Sequence, residues 1–99
     1  MPRRYKLYIT DTAQLDLEQI FYYIAEDSLR NAERFVTELE AKAYSLETLP
    51  ERQPLIPENE YFGTDYRHLV YKKYRIVYRI AENQVFILRI LHGAKLLDI

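Results

Sequence analysis

Residues 66–91, YRHLVYKKYRIVYRIAENQVFILRIL, decide the fold. Three runs rich in aromatic and β-branched side chains, Tyr66 to Tyr71, Tyr74 to Ile80 and Val85 to Leu91, are separated by Lys72-Lys73 and by Ala81-Glu82-Asn83-Gln84. Short polar connections of this kind predict antiparallel hairpins, so the segment reads as a meander of three strands. Successive side chains of a strand point to opposite sides, which puts Tyr74, Ile76, Tyr78 and Ile80 on one face and Arg75, Val77 and Arg79 on the other. The sheet is therefore expected to have an apolar side and a basic side.

The preceding half of the chain supplies a cover for the apolar side. Tyr5 to Thr10, YKLYIT, reads as a first strand, and Thr10 as the N-cap of a helix running from Asp11 to about Glu26. Ala13, Leu17, Ile20, Phe21 and Ile24 recur at spacings of three and four, so they share one helical face, and Asp11 and Asp16 suit the positive end of the helix dipole. Asp27-Ser28 breaks the pattern. Ser28 can then cap a second helix with Ala32, Phe35, Val36, Leu39, Ala43 and Leu46 inward, ending near Leu49 because Pro50 disfavours helical geometry in the residue before it. Two helices joined by so few residues must pack as an antiparallel hairpin. Glu51 to Asp65, with Pro54, Pro57, Asn59 and Gly63, reads as one surface loop, and Lys95 to Ile99 as a possible linker. The fold class is α+β, with a helical hairpin packed on a small twisted antiparallel sheet in the order β-α-α-β-β-β.

The whole chain, residues 1–99, is expected to form a single domain, because splitting 99 residues would leave each part too little apolar surface to bury. A composition 48% hydrophobic and 29% charged, with two glycines, belongs to an ordered globular protein. The absence of cysteine excludes a disulfide framework, an iron-sulfur site and a thiolate nucleophile, and it fits a reducing cytoplasm. Two histidines make a zinc site improbable, and no metal or other cofactor is expected. The basic start, Met1 to Lys6, is followed by an apolar stretch too short for a signal peptide, and no run reaches membrane-spanning length.

The formal net charge of −1 hides an asymmetry. From Asp11 to Asp65 there are 13 acidic and 4 basic residues, whereas from Tyr66 to Leu97 there are 7 basic residues against Glu82 alone. One surface should be acidic and the other basic, and the basic one could meet an anionic partner. No glycine-rich phosphate loop, GxSxG or HExxH occurs, which removes support for P-loop, serine-type and zinc chemistry. What remains is basic and aromatic: Arg67, Arg75, Arg79, Arg89, His92 and Lys95, interleaved with Tyr66, Tyr71, Tyr74 and Tyr78. Guanidinium groups bind phosphate bidentately and aromatic rings stack on unpaired bases, so this set could hold RNA or another polyanion. The plainer alternative packs the tyrosines under the helices and pairs the arginines with acidic residues of the hairpin. His92, directly after the last apolar strand, could serve as general acid or base or only make a local hydrogen bond, and His68 within a strand reads as structural. Glu58, Glu60 and Asp65 could supply a base or simply be solvated.

Four stretches carry a family likeness: ITDTA (9–13) leading to DLEQI (16–20), AERFV (32–36), YRIVYRI (74–80) and VFILRILHG (85–93). With the order of elements, they resemble the RelE/ParE superfamily of type II toxin-antitoxin toxins, over essentially the whole chain. That resemblance implies a plasmid-stabilisation type of toxin held inactive by a cognate antitoxin, whose binding segment folds on the toxin over its grooves and edges, in a higher-order hetero-oligomer.

The superfamily holds two activities. RelE-like members are ribosome-dependent messenger RNA endonucleases; on that comparison Arg75 matches the arginine of the central motif, Lys95 a basic residue near the C-terminus, and His92 is the candidate for proton transfer. The chain departs from them where two alternating lysines would stand, offering Arg67 and Leu69, and in ending at Ile99 before a catalytic tyrosine. ParE-like members poison DNA gyrase by binding and need no catalytic residue. The helical hairpin and the leucine-histidine pair ending the last strand are more similar to that branch. The expectation is thus a cytoplasmic ParE-like toxin acting on gyrase, with Arg67, Arg79 and Arg89 as target-binding residues. The alternative is RNA cleavage through Arg75, His92 and Lys95, and a third reading is a non-toxic RNA-binding module.

Overall fold

Helix α1 (Asp11–Ala25) begins where the Thr10 hydroxyl accepts the Ala13 N–H at 3.3 Å, satisfying one of the donors a helix start leaves unpaired. The same hydroxyl donates to the Ile87 carbonyl at 2.7 Å, which ties the helix start to the sheet. Helix α2 (Leu29–Tyr44) is capped in the same way by Ser28, whose Oγ accepts from the Asn31 N–H. It gives way at Ser45–Glu47 to a 3-10 turn, earlier than Leu49. Leu49 itself takes a left-handed conformation, φ 52°, as the chain escapes the helical geometry that Pro50 forbids to its predecessor. The computed structural model describes residues 3–97; Met1-Pro2 of the basic start and Asp98-Ile99 of the expected linker lie outside them.

The sheet comprises β1 (Lys6–Ile9), β2 (Arg67–Tyr71), β3 (Tyr74–Ala81) and β4 (Gln84–His92), in the order β1-β4-β3-β2. The meander is antiparallel as the sequence suggests, and its second turn is tighter, only Glu82-Asn83. β1 joins it parallel to β4, with Leu7 opposite Val85 and Ile9 opposite Ile87, so the sheet is mixed rather than wholly antiparallel. Between Val77, opposite Arg89, and Tyr78, opposite Ile87, the register slips by one residue, leaving Leu88 as a bulge.

The helical hairpin covers one face of the sheet. Leu17, Ile20, Leu39 and Ala43 bury against Ile76, Tyr78, Val85, Ile87 and Ile90, as the periodicities of both segments require. The opposite face departs from expectation. It carries a second cluster, Val77 and Leu91 beneath Ile56 and Leu97, with Tyr66 packed beside them. Residues 51–65 are therefore not a plain surface loop: the stretch overlaps a 3-10 turn at Pro50–Arg52, contains helix α3 (Asn59–Phe62), and buries Ile56 and Glu58. The Asn59 side chain holds it closed, accepting from the Tyr66 N–H at 3.0 Å and the Thr64 hydroxyl at 2.7 Å while donating to the Tyr66 carbonyl at 2.9 Å. Nor is the C-terminal segment a free linker as far as Leu97, which is buried. Among the described residues no helix is long and apolar enough to cross a membrane.

Candidate functional site

The basic side of the sheet is half closed, and Arg75 is what closes it. Its guanidinium lies under α3 and the C-terminal segment, about 5% exposed. Nη1 donates to Glu58 Oε1 at 3.1 Å, Nη2 pairs with the other Glu58 oxygen, and Nη2 also donates to the Lys95 carbonyl at 3.0 Å. The Leu97 N–H donates to Glu58 at 3.0 Å, so one ion pair pins both the loop and the tail. Nε has no hydrogen-bond partner among the described residues. The bond from Arg75 holds the Glu58 carboxyl down at about 2, against the opposing effect of burial. Burial and the neighbouring guanidinium push His68 down, so its ring is neutral at pH 7 and Nδ1 accepts from Arg75 Nη1 at 3.3 Å.

Arg89 is engaged at the edge of β4. Asp16 accepts from its Nε at 2.8 Å and its Nη2 at 3.0 Å, and from the Ile90 N–H at 2.9 Å. β1 pairs with β4 only as far as Ile87, and beyond that point the Asp16 carboxylate takes the place of the missing strand. The helix-dipole role expected for Asp16 is thus overtaken by a role at the sheet edge. A groove of about 190 Å³ runs beside this pair, with Tyr23, Tyr74, His92 and Lys95 in its walls. The His92 ring meets Tyr74 edge-on at 5.6 Å, and its Nδ1 accepts from the Ala94 N–H at 3.3 Å.

Arg67 is occupied too, donating to the carbonyls of Gln53 at 2.6 Å and Glu51 at 3.1 Å. Arg79 differs: its guanidinium carbon stands 4.4 Å from the centroid of the Phe86 ring, and it makes no hydrogen bond or ion pair among the described residues. Phe86 in turn stacks on Tyr8 at 5.4 Å with the rings 18° from parallel.

The six basic candidates therefore do not form one surface. Arg75, opposite Leu91, points away from the helices, whereas His92, opposite Tyr74, lies on the helix side. His92 and Lys95 share the groove with Arg89; Arg75 meets Lys95 only at its backbone carbonyl. The plainer alternative, arginines paired with acidic residues of the hairpin, holds for Arg89 with Asp16 of α1, whereas Arg75 takes Glu58 of the irregular segment, 17 positions away in the chain. The sequence does not show which acid either one takes. Reading the sequence also missed Tyr8 and Phe86; their alternation with inward Leu7 and Ile87 was a legible signal.

The architecture and the sequence agree with one class of proteins, small β-α-α-β-β-β toxins with a helical hairpin over a four-stranded sheet. Residues 7–97 match the family described as ParE toxin of type II toxin-antitoxin system, parDE, and the chain belongs to that family. No curated protein sequence matches it. Among solved structures it is similar to a chain of the chromosomal ParDE toxin-antitoxin system from P. aeruginosa, with a TM-score of 0.73 at 18% identity, covering 91% of this chain and 97% of that one. It is also similar to a chain of the toxin-antitoxin complex RelBE2 from Mycobacterium tuberculosis, with a TM-score of 0.66 at 26% identity and coverage of 90% and 98%. The protein is a type II toxin of the RelE/ParE superfamily.

Proposed function

We propose that this toxin acts by binding DNA gyrase and trapping it on cleaved DNA, and that a cognate antitoxin neutralises it in the cytoplasm as part of a hetero-oligomer. The observation that carries the reading is the state of Arg75. Cleavage of a phosphodiester by a neighbouring 2′-hydroxyl needs free positive charge at the phosphate and a proton-transfer group within reach of it. Here the central guanidinium is spent on Glu58 and on the Lys95 carbonyl, and His92 stands on the other face of the sheet. A binding toxin needs neither group. The antitoxin partner is supported by both solved relatives, one described as a toxin-antitoxin system and the other as a toxin-antitoxin complex.

The test pairs two assays on the purified toxin: supercoiling and cleavage by gyrase, and messenger cleavage on programmed ribosomes. Inhibited supercoiling with intact messenger is the expected result. Supercoiling that persists at a large excess of toxin would sink the proposal. One feature favours the ribonuclease alternative, the meeting of His92 and Lys95 in a groove that also holds Arg89. New messenger ends that vanish in His92→Ala and Lys95→Ala would establish that alternative, centred on the groove rather than on Arg75.

A further inference from the structure

The part of the far face that the loop leaves open has its own chemistry. A row of planar groups crosses three strands there: Tyr8 on β1 pairs with Phe86 on β4, which pairs with Arg79 on β3. Because β4 lies between the other two strands, Phe86 is flanked by the Tyr8 ring on one side and the Arg79 guanidinium on the other. Tyr8, on an edge strand, is 44% exposed. Lys6, two residues along the same face of β1, is exposed and unpaired among the described residues.

Three of the four sheet arginines have their donors on internal oxygens, and Arg79 does not. Its contact with Phe86 orders the guanidinium but leaves all five N–H donors free. An ordered stack with free donors at one end and an exposed ring at the other fits flat bases joined by phosphates: unpaired bases extend the stack on aromatic and guanidinium planes, while cations take the backbone. Duplex DNA offers only its grooves and backbone to such a face, since its bases are already stacked.

We propose that the Tyr8, Phe86 and Arg79 row, with Lys6, is a binding surface for single-stranded DNA. The choice of DNA rests on the gyrase reading above, in which the toxin works on an enzyme that opens DNA strands. The surface is separate from the His92 groove, which lies along the edge of β4 beyond Ile87, against α1.

The experiment measures binding of a fluorescent twenty-nucleotide oligo-dT by anisotropy, with oligo-rU and a duplex of equal length as the other arms. Oligo-dT should bind best. Tyr8→Ala and Arg79→Ala should each weaken binding about tenfold, the loss expected of one stacked base or its equivalent. Arg79→Lys, which keeps the charge and loses the plane, should fall between wild type and Arg79→Ala. Lys6→Ala should reduce the slope of log affinity against log salt by about 0.7, one phosphate contact to a single strand. Arg30→Ala, on α2, should bind as wild type does, and thermal melting of each variant separates lost contacts from lost fold. No binding of oligo-dT, equal binding of the duplex, preference for oligo-rU, or tight binding by folded Tyr8→Ala and Arg79→Ala would each overturn the proposal. Gyrase inhibition by wild type is read separately: a toxin that inhibits supercoiling without binding oligo-dT loses this surface and keeps the gyrase reading, and the converse result does the reverse.

Discussion

The two faces of the sheet are closed by different means. Under the helices, Leu17, Leu39, Ile76 and Ile87 are fully buried in one largely apolar cluster with the Tyr78 ring, whose hydroxyl donates to the Pro50 carbonyl. On the far face, four buried apolar side chains are joined by a buried ion pair, Arg75 with Glu58, that holds down a short helix and the C-terminal segment. Charge is an asset on the narrower of the two faces. A broad apolar face adheres without direction, whereas a narrow one under an irregular segment uses charged hydrogen bonds, which specify a position and are costly when half removed.

The largest effect expected is the loss of Arg75. Arg75→Ala strands the Glu58 carboxylate and should cost about 3–5 kcal/mol in urea unfolding. A cavity on the helix side, Leu17→Ala, should cost about 2–5 kcal/mol by a different route. The two are told apart by removing the charge from both partners: Arg75→Met with Glu58→Gln, which keeps an acceptor for the Leu97 N–H, should recover part of the stability, which no second substitution near Leu17 could do by neutralising charge. A double variant as unstable as Arg75→Ala would mean that this ion pair does not hold the far face.

pH should separate the faces next. Glu58 has its folded value lowered from 4.5 to about 2, so its contribution is complete above 4.5 and is lost as pH falls toward 2. That loss should amount to roughly 2–3 kcal/mol and be absent in Glu58→Gln. His68, held below its usual 6.5, begins the decline earlier, because the unfolded chain takes up a proton there that the folded ring resists. Tyr78 is raised from 10.0 to about 12 by burial, so its contribution is complete below pH 10 and is lost as pH rises toward 12. Acid should therefore loosen the far face and alkali the helix side, read by urea melts across pH with Glu58→Gln and Tyr78→Phe as the flattened controls.

Smaller effects sharpen the picture at the edges. Asp16→Asn removes the charge from the Arg89 pair but can still accept the Ile90 N–H, and should cost about 1–2 kcal/mol, less than Asp16→Ala. Glu82, at φ 58° in the tight turn between β3 and β4, should gain about 0.5 kcal/mol on replacement by glycine, which adopts that conformation without a steric penalty. A neutral or destabilising result would mean that the turn draws on the Glu82 side chain.

The helices, their caps and the meander were legible because each rests on neighbours in the chain: Thr10 and Ser28 bond to backbone three residues on, and Tyr74, Ile76, Tyr78 and Ile80 share a face by pleat alone. The irregular stretch was misread for the opposite reason. Its order comes from Ile56 and Glu58 finding partners across the molecule and from Asn59 bridging to Thr64 and Tyr66, and no period announces them. The candidate site was half legible. All six basic residues could be named, yet which were spent and which were free depended on acids and backbone carbonyls well removed in sequence.

The helical hairpin, the three-stranded meander, the acidic and basic halves, and the resemblance to a toxin superfamily in YRIVYRI and ILRILHG are all present in the bare chain. The folded molecule adds that β1 lies parallel beside β4, that Asp16 and Glu58 capture Arg89 and Arg75, and that Arg79 is left open beside Phe86 and Tyr8. Periodicity is a property of adjacent residues and survives in the bare chain, whereas the pairing of charges depends on distances that exist only after the sheet and its coverings have come together.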